Sequence, residues 1–198
     1  MAAEYQYNRM VLREEISRDV IVGLASKGLW PSLEDNENDE SASYMYYRLW
    51  GVAQGLWASL TEDLTTQVKV FTVFGEDSAD VVELSRRVTI ILQPYSRQEL
   101  TRPPQFGADK HERIRTAMRA ALAAGDEYDG ELYAVISAAA QAPDPDVRNA
   151  AAWATTYVSW PQVLELLRNM AANDSDARVR EGAQALLNDF QRDEAGDQ

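Results

Sequence analysis

Two stretches near the end of the chain, residues 132–158 and 163–190, read as successive copies of one helix pair. Each copy centres on a Val-Arg step, Val147-Arg148 and Val179-Arg180, and the two steps stand 32 residues apart. A period of this size marks stacked helical units. One pair cannot bury its own apolar face, so copies must lie against each other, and stacking builds an extended surface suited to a partner.

The helix boundaries are written in turn chemistry. Asp109 and Asp129 are placed to cap helices whose inward positions are Ile114, Ala117, Met118, Ala121 and Leu122, then Leu132, Val135 and Ile136. Residues 143–146 (PDPD) and 173–176 (NDSD) make tight turns into the next helices. Ser159 with Gln162 has the spacing of a capping box. Residues 109–192 therefore read as a helical array.

The copies resemble HEAT repeats. The likeness lies in residues 144–151 (DPDVRNAA) and 174–183 (DSDARVREGA), where Val147 and Val179, Arg148 and Arg180, and Ala151 and Ala183 correspond. It covers roughly residues 129–190. It implies an acidic cap on the second helix of each pair, packing through the Val and the small residues, and an Arg reaching acidic groups of the adjacent turn. HEAT-like proteins are mostly scaffolds and adaptors, so the likeness speaks to architecture first.

Residues 1–100 show no such signature but also read as mainly helical. Met10, Val11, Ile16, Val20 and Leu24 fall near helical spacing within residues 5–28, and Gly28 supplies a stop. Ser43 is placed to start a second helix, with Met45, Leu49, Val52, Leu56 and Leu60 inward. Residues 67–92 admit two readings. The β-branched runs 67–74 (QVKVFTVF) and 87–92 (RVTIIL) suit a hairpin. A helical reading, which is preferred, puts Leu64, Val68 and Phe71 on one face and Val81, Leu84, Val88, Ile91, Leu92 and Tyr95 on another helix. Pro103-Pro104 makes residues 96–108 the best linker candidate, either a boundary between two halves or a loop inside one continuous array. The fold class expected is all-α, a helical N-terminal region followed by a HEAT-like α-solenoid.

Charge and composition narrow the function. The formal net charge of −13 is spread evenly, with 9 basic and 16 acidic residues in 1–100 and 10 and 16 in 101–198. Such a field disfavours nucleic acid and anionic membranes and favours a basic protein partner. There are no cysteines, which excludes disulfides, thiolate nucleophiles and cysteine-based metal sites. No segment approaches the ~20 apolar residues of a membrane span, and no leader peptide is visible, so a cytoplasmic protein is expected. Arg outnumbers Lys by 16 to 3, a bias that suits a bacterial or phage genome.

Candidate chemistry is sparse. His111 is the only histidine and stands at a helix start beside Asp109 and Glu112, where acidic groups are expected. The acidic run Glu34, Asp35, Glu37, Asp39 and Glu40 has no Gly at the sixth place and carries Tyr46 at the twelfth, so it does not fit a calcium loop. Arg113, Arg115, Arg119, Arg86 and Arg87 are expected to pair within the chain. No phosphate loop, nucleophile elbow or dinucleotide fingerprint occurs. No catalytic residue, cofactor or metal site is assigned. The densest site candidate is aromatic, Tyr44, Tyr47, Arg48, Trp50 and Trp57, with Trp50 and Trp57 expected on one helix face and Glu37 and Asp39 alongside.

The function expected is a non-enzymatic adaptor or regulator that binds another protein. The alternatives are an acidic inhibitor, immunity-type or nucleic-acid-mimic protein that blocks a basic target, and a small-ligand or enzymatic pocket lined by Tyr47, Trp50 and Trp57.

Overall fold

A computed structural model of the chain describes residues 5–36, 44–104 and 108–196, the last four of these by their backbone alone. The chain divides into two compact units, Met1–Ser96 and Arg97–Gln198.

The first unit is built on a sheet, which overturns the all-α expectation. Strands β1 (Gln6–Val11), β2 (Ser32–Asp35), β3 (Met45–Ala53), β4 (Leu56–Asp63) and β5 (Lys69–Gly75) lie in the order β1-β5-β4-β3-β2, every pair antiparallel. Helices α1 (Arg18–Lys27) and α2 (Ser78–Leu92) complete the unit. Met10, Tyr46, Trp50, Ala58, Leu60, Phe71 and Val73 alternate along their strands and so share one face. Ile21 and Ala25 of α1 and Val81, Leu84, Val88 and Leu92 of α2 join them in a single core. Burying each of the larger side chains contributes about 1.5–3 kcal/mol, from the sheet and from both helices.

Two sequence expectations fail here and a third holds in part. Residues 5–28 are a strand and a helix, because Met10 and Val11 point to opposite sides of β1 rather than along one helical stripe. The segment from Ser43 is no helix over its described residues: Tyr44 is a turn residue, and β3 and β4 form a hairpin closed by Gly55 at φ 71, a conformation that favours glycine. In residues 67–92 the helix expected through Val81, Leu84, Val88 and Leu92 forms as α2, whereas Lys69–Gly75 is strand β5, paired with β1 and β4 and not with a hairpin partner at 87–92. Asp77 caps α2 by accepting from the amides of Ala79 and Asp80.

The second unit is helical throughout its described residues. Its helices are α3 (Arg97–Leu100), α4 (Lys110–Ala123), α5 (Gly130–Ala140), α6 (Pro145–Ala154), α7 (Pro161–Asn173) and α8 (Ala177–Gly196). A 3-10 turn, Thr155–Tyr157, follows α6. α4, α6 and α8 lie side by side as one layer; α5 packs on α4 and α6, and α7 packs on α8. Ala120, Ala121, Val147, Ala151, Ala152 and Ala183 are fully buried where these helices meet, and their short side chains permit close approach. Asp109 and Asp129 cap α4 and α5 as the sequence predicts.

The expected capping box at Ser159 does not form. Trp160 takes the cap position of α7, Pro161 fills the first helical turn, and no side chain caps it. The Trp160 indole instead donates to the Gly125 carbonyl at 3.2 Å, tying α7's start to the end of α4. Among the described residues, no helix is long and apolar enough to cross a membrane.

Candidate functional site

The aromatic residues singled out in the sequence do not form one surface. Trp50 on β3 sits opposite Ala58, and Trp57 on β4 sits opposite Gly51. These neighbouring pairs point to opposite faces, so the shared helix face expected for the two indoles does not exist. Trp50 is 2% exposed in the core, its ring 6.4 Å from Phe71. Arg48 lies 5.6 Å from the Trp50 ring, pairs with Asp35 at 3.2 Å and donates to the Ser32 hydroxyl. Tyr47 is half-buried; burial raises its phenol pKa and the Glu34 carboxylate adds to the rise. Tyr44 is exposed just ahead of β3. Glu37 and Asp39 lie outside the described residues.

A different cluster occupies the other sheet face. Phe74 stacks on Tyr7 at 5.7 Å and on Trp57 at 5.8 Å, and Tyr5 meets Trp57 edge-on at 5.6 Å. The register of β1, β4 and β5 places Tyr7, Phe74 and Trp57 in one row. Reading these segments at a period of two would have found the row; reading them as helices hides it.

The helical unit carries a repeated device. Asp109, Asp144 and Asp176 each immediately precede a helix of the α4-α6-α8 layer, and an Arg follows each by four residues: Arg113, Arg148 and Arg180. Each guanidinium donates back to its own turn. Arg113 donates to the Ala108 carbonyl, Arg148 to those of Ala142 and Pro143, and Arg180 to that of Asp174, at 2.7–3.1 Å. Arg148 also reaches forward and takes the Asp174 carboxylate with both prongs of its fork at 2.8 Å. This hydrogen bond from Arg148, more than the nearby amide of Asp176, holds the Asp174 pKa below the ordinary carboxylate range.

The pairing expected of the other cations is present. Arg86 and Arg87 hold Glu83, whose pKa falls to about 2, and Arg115 and Arg119 share Glu112. His111 is exposed on α4.

Between α6 and α8 runs a groove of about 330 Å³ whose walls include Asp146, Asn149, Trp153, Arg178, Glu181 and Gly182. Trp153 stands 53% exposed at its side. A Cβ on Gly182 would lie 2.9 Å from Asn149 Oδ1, at the tip of a side chain that can turn aside. At one end a chain of charges runs across the layer: Lys110 to Asp146 at 2.8 Å, Arg178 to Asp146 at 3.6 Å, and Arg178 to Asp176 at 3.4 Å. The Lys110 ammonium lowers the Asp146 pKa, and Arg178 lowers that of Asp176. Among the described residues, no three His, Cys, Asp or Glu side chains are grouped so as to hold a metal.

The doubled turns, the buried Val and Ala positions and the α4-α6-α8 layer agree with the comparison by family. Residues 107–188 match the family model of HEAT repeats. The match starts well before residue 129, where the resemblance in the sequence begins, and takes in α4, which carries the first of the three Asp-Arg turns. Comparison with curated proteins and with solved structures gave no match.

Proposed function

We propose that the protein is a non-enzymatic adaptor whose HEAT repeats bind another protein across the α6–α8 groove, with Trp153 as the central contact. HEAT repeats are protein-interaction modules, which supports the general role. The single observation that carries the specific reading is Trp153, a large ring more than half exposed beside a groove with charged walls. Leaving an indole in water forgoes burial free energy, and tryptophan is the residue type most enriched at interface hot spots.

The partner's chemistry follows from charge. A protein of net charge −13 speeds encounter with a basic surface, and Glu181 stands on the groove wall beside the Asp146–Arg178 pair. The partner is therefore a protein presenting cationic residues around an apolar socket for the indole.

The test is affinity capture with the wild-type chain and Trp153→Ala at low and high salt. A protein retained by wild type, weakened by salt and lost with Trp153→Ala supports the reading. The same proteins retained equally by both chains would overturn it.

A further inference from the structure

A second cavity in the helical unit has no part in the groove described above. It encloses about 380 Å³ and is walled chiefly by Pro103, Pro104, Ala138, Ala142, Pro143 and Val147, with Arg113 as its cation. The lining is apolar apart from that guanidinium and a few small polar groups, Thr101, Thr116 and Gln141.

The repeat itself shows what this Arg is built to hold. Arg113 and Arg148 occupy the same place, four residues beyond the capping Asp of their helices. Arg148 takes the carboxylate of Asp174, which stands two residues ahead of the next capping residue, Asp176. The residue two ahead of Asp144 is Ala142, which lines the cavity and brings no carboxylate. Arg113 keeps its backward bond through Nε to the Ala108 carbonyl, and Nη1 and Nη2 have no partner among the described residues. A guanidinium fork with two free prongs matches a carboxylate in a bidentate way, and charge-assisted bonds of this kind are the strong ones.

We propose that this cavity binds a carboxylate carried on a short aliphatic stem, the carboxylate docking end-on across Nη1 and Nη2 of Arg113, where Arg148 instead holds Asp174 side-on through Nε and Nη2. The stem lies along the Ala, Val and Pro walls, where burial of each methylene adds to affinity. A free aliphatic acid and the C-terminus of a peptide ending in an aliphatic residue share this chemistry.

The experiment titrates the full chain with hexanoate, with hexanamide, and with a short Ala-Ala-Val peptide carrying either a free or an amidated C-terminus, following backbone amide resonances. Saturable shifts at Arg113, Ala139 and Ala142 from a carboxylate, absent with its amide, are expected. Response to hexanoate alone identifies a free acid, and tighter response to the peptide acid identifies a chain terminus. Arg113→Gln should weaken binding by roughly tenfold or more. Ala142→Asp supplies the missing carboxylate from within, so it should abolish ligand binding and raise the melting temperature. The proposal is overturned by amides that bind as well as acids, by Arg113→Gln that binds as well as wild type, or by no saturable response to either acid at millimolar concentration.

Discussion

Arg148 and Asp174 form a two-pronged ion pair across consecutive repeats, with both hydrogen bonds at 2.8 Å and both side chains nearly buried, 11% and 6% exposed. The pair joins the start of α6 to the turn that precedes α8. Arg148 has two further bonds to the Ala142 and Pro143 carbonyls, so its cation is fully engaged.

Removing one partner leaves an uncompensated buried charge. Asp174→Ala or Arg148→Ala should cost about 3 kcal/mol in chemical denaturation. Arg148→Lys should recover little of this, because an ammonium cannot reproduce the fork. A cost no greater than that of an exposed ion pair would show that the fork is not engaged in solution.

The same pair sets an acid limit. The Asp174 pKa in the folded chain lies below its ordinary value of 3.8, which the unfolded chain retains. Its contribution is thus complete above that value and is lost as pH falls through the lower, folded one. Urea midpoints followed from pH 6 to pH 3 should drop more steeply for wild type than for Asp174→Asn. Parallel curves would contradict this.

Trp50 and Trp57 should behave as residues of two environments. Trp50→Ala empties a core site and should cost about 3 kcal/mol or more. Trp57→Ala loses ring contacts with Phe74 and Tyr5 and should cost about 1 kcal/mol. Denaturation of the two variants checks this, and equal losses would refute the opposed faces.

Gly75 is required by close packing. A Cβ there would meet the Gly55 carbonyl oxygen at 2.6 Å and Leu56 Cδ1 at 3.1 Å. Gly75→Ala should destabilise the chain by about 2 kcal/mol, since backbone must move to admit the methyl group. A thermal scan that leaves the melting point unchanged would argue against this contact.

Trp153→Ala should leave stability within about 0.5 kcal/mol of wild type while removing the captured partner. The separation matters, because a loss of capture that follows unfolding would say nothing about the groove. Circular dichroism melts beside the capture assay distinguish the two.

The helical unit was legible because its signals are local. Asp109 and Asp129 cap where a short polar residue precedes an apolar stripe, and Val147, Val179, Ala151 and Ala183 repeat at matching places. The sheet was not legible because its alternation is blurred. Ala58, Ser59 and Leu60 are consecutive and all buried, as are Lys69, Val70 and Phe71, so β4 and β5 lack an apolar-polar rhythm. Met45, Leu49, Val52, Leu56 and Leu60 fell at helical intervals by coincidence, across a hairpin turn that only Gly55 marks. The shared face expected for Trp50 and Trp57 failed with the periodicity. Once β3 and β4 are strands, Tyr44, Tyr47, Trp50 and Trp57 scatter over different surroundings, while Trp153 sat in a segment rich in alanine and drew no notice.

The forward reach of Arg148 also decides how the array comes apart. Peeling α7 and α8 away would strand a guanidinium with two empty prongs, so detachment at that end carries a toll beyond the apolar surface it uncovers. The turn between the last two helices is latched to α6 through Arg148, and heat should dissolve the stack in one step rather than unravel it from its tail.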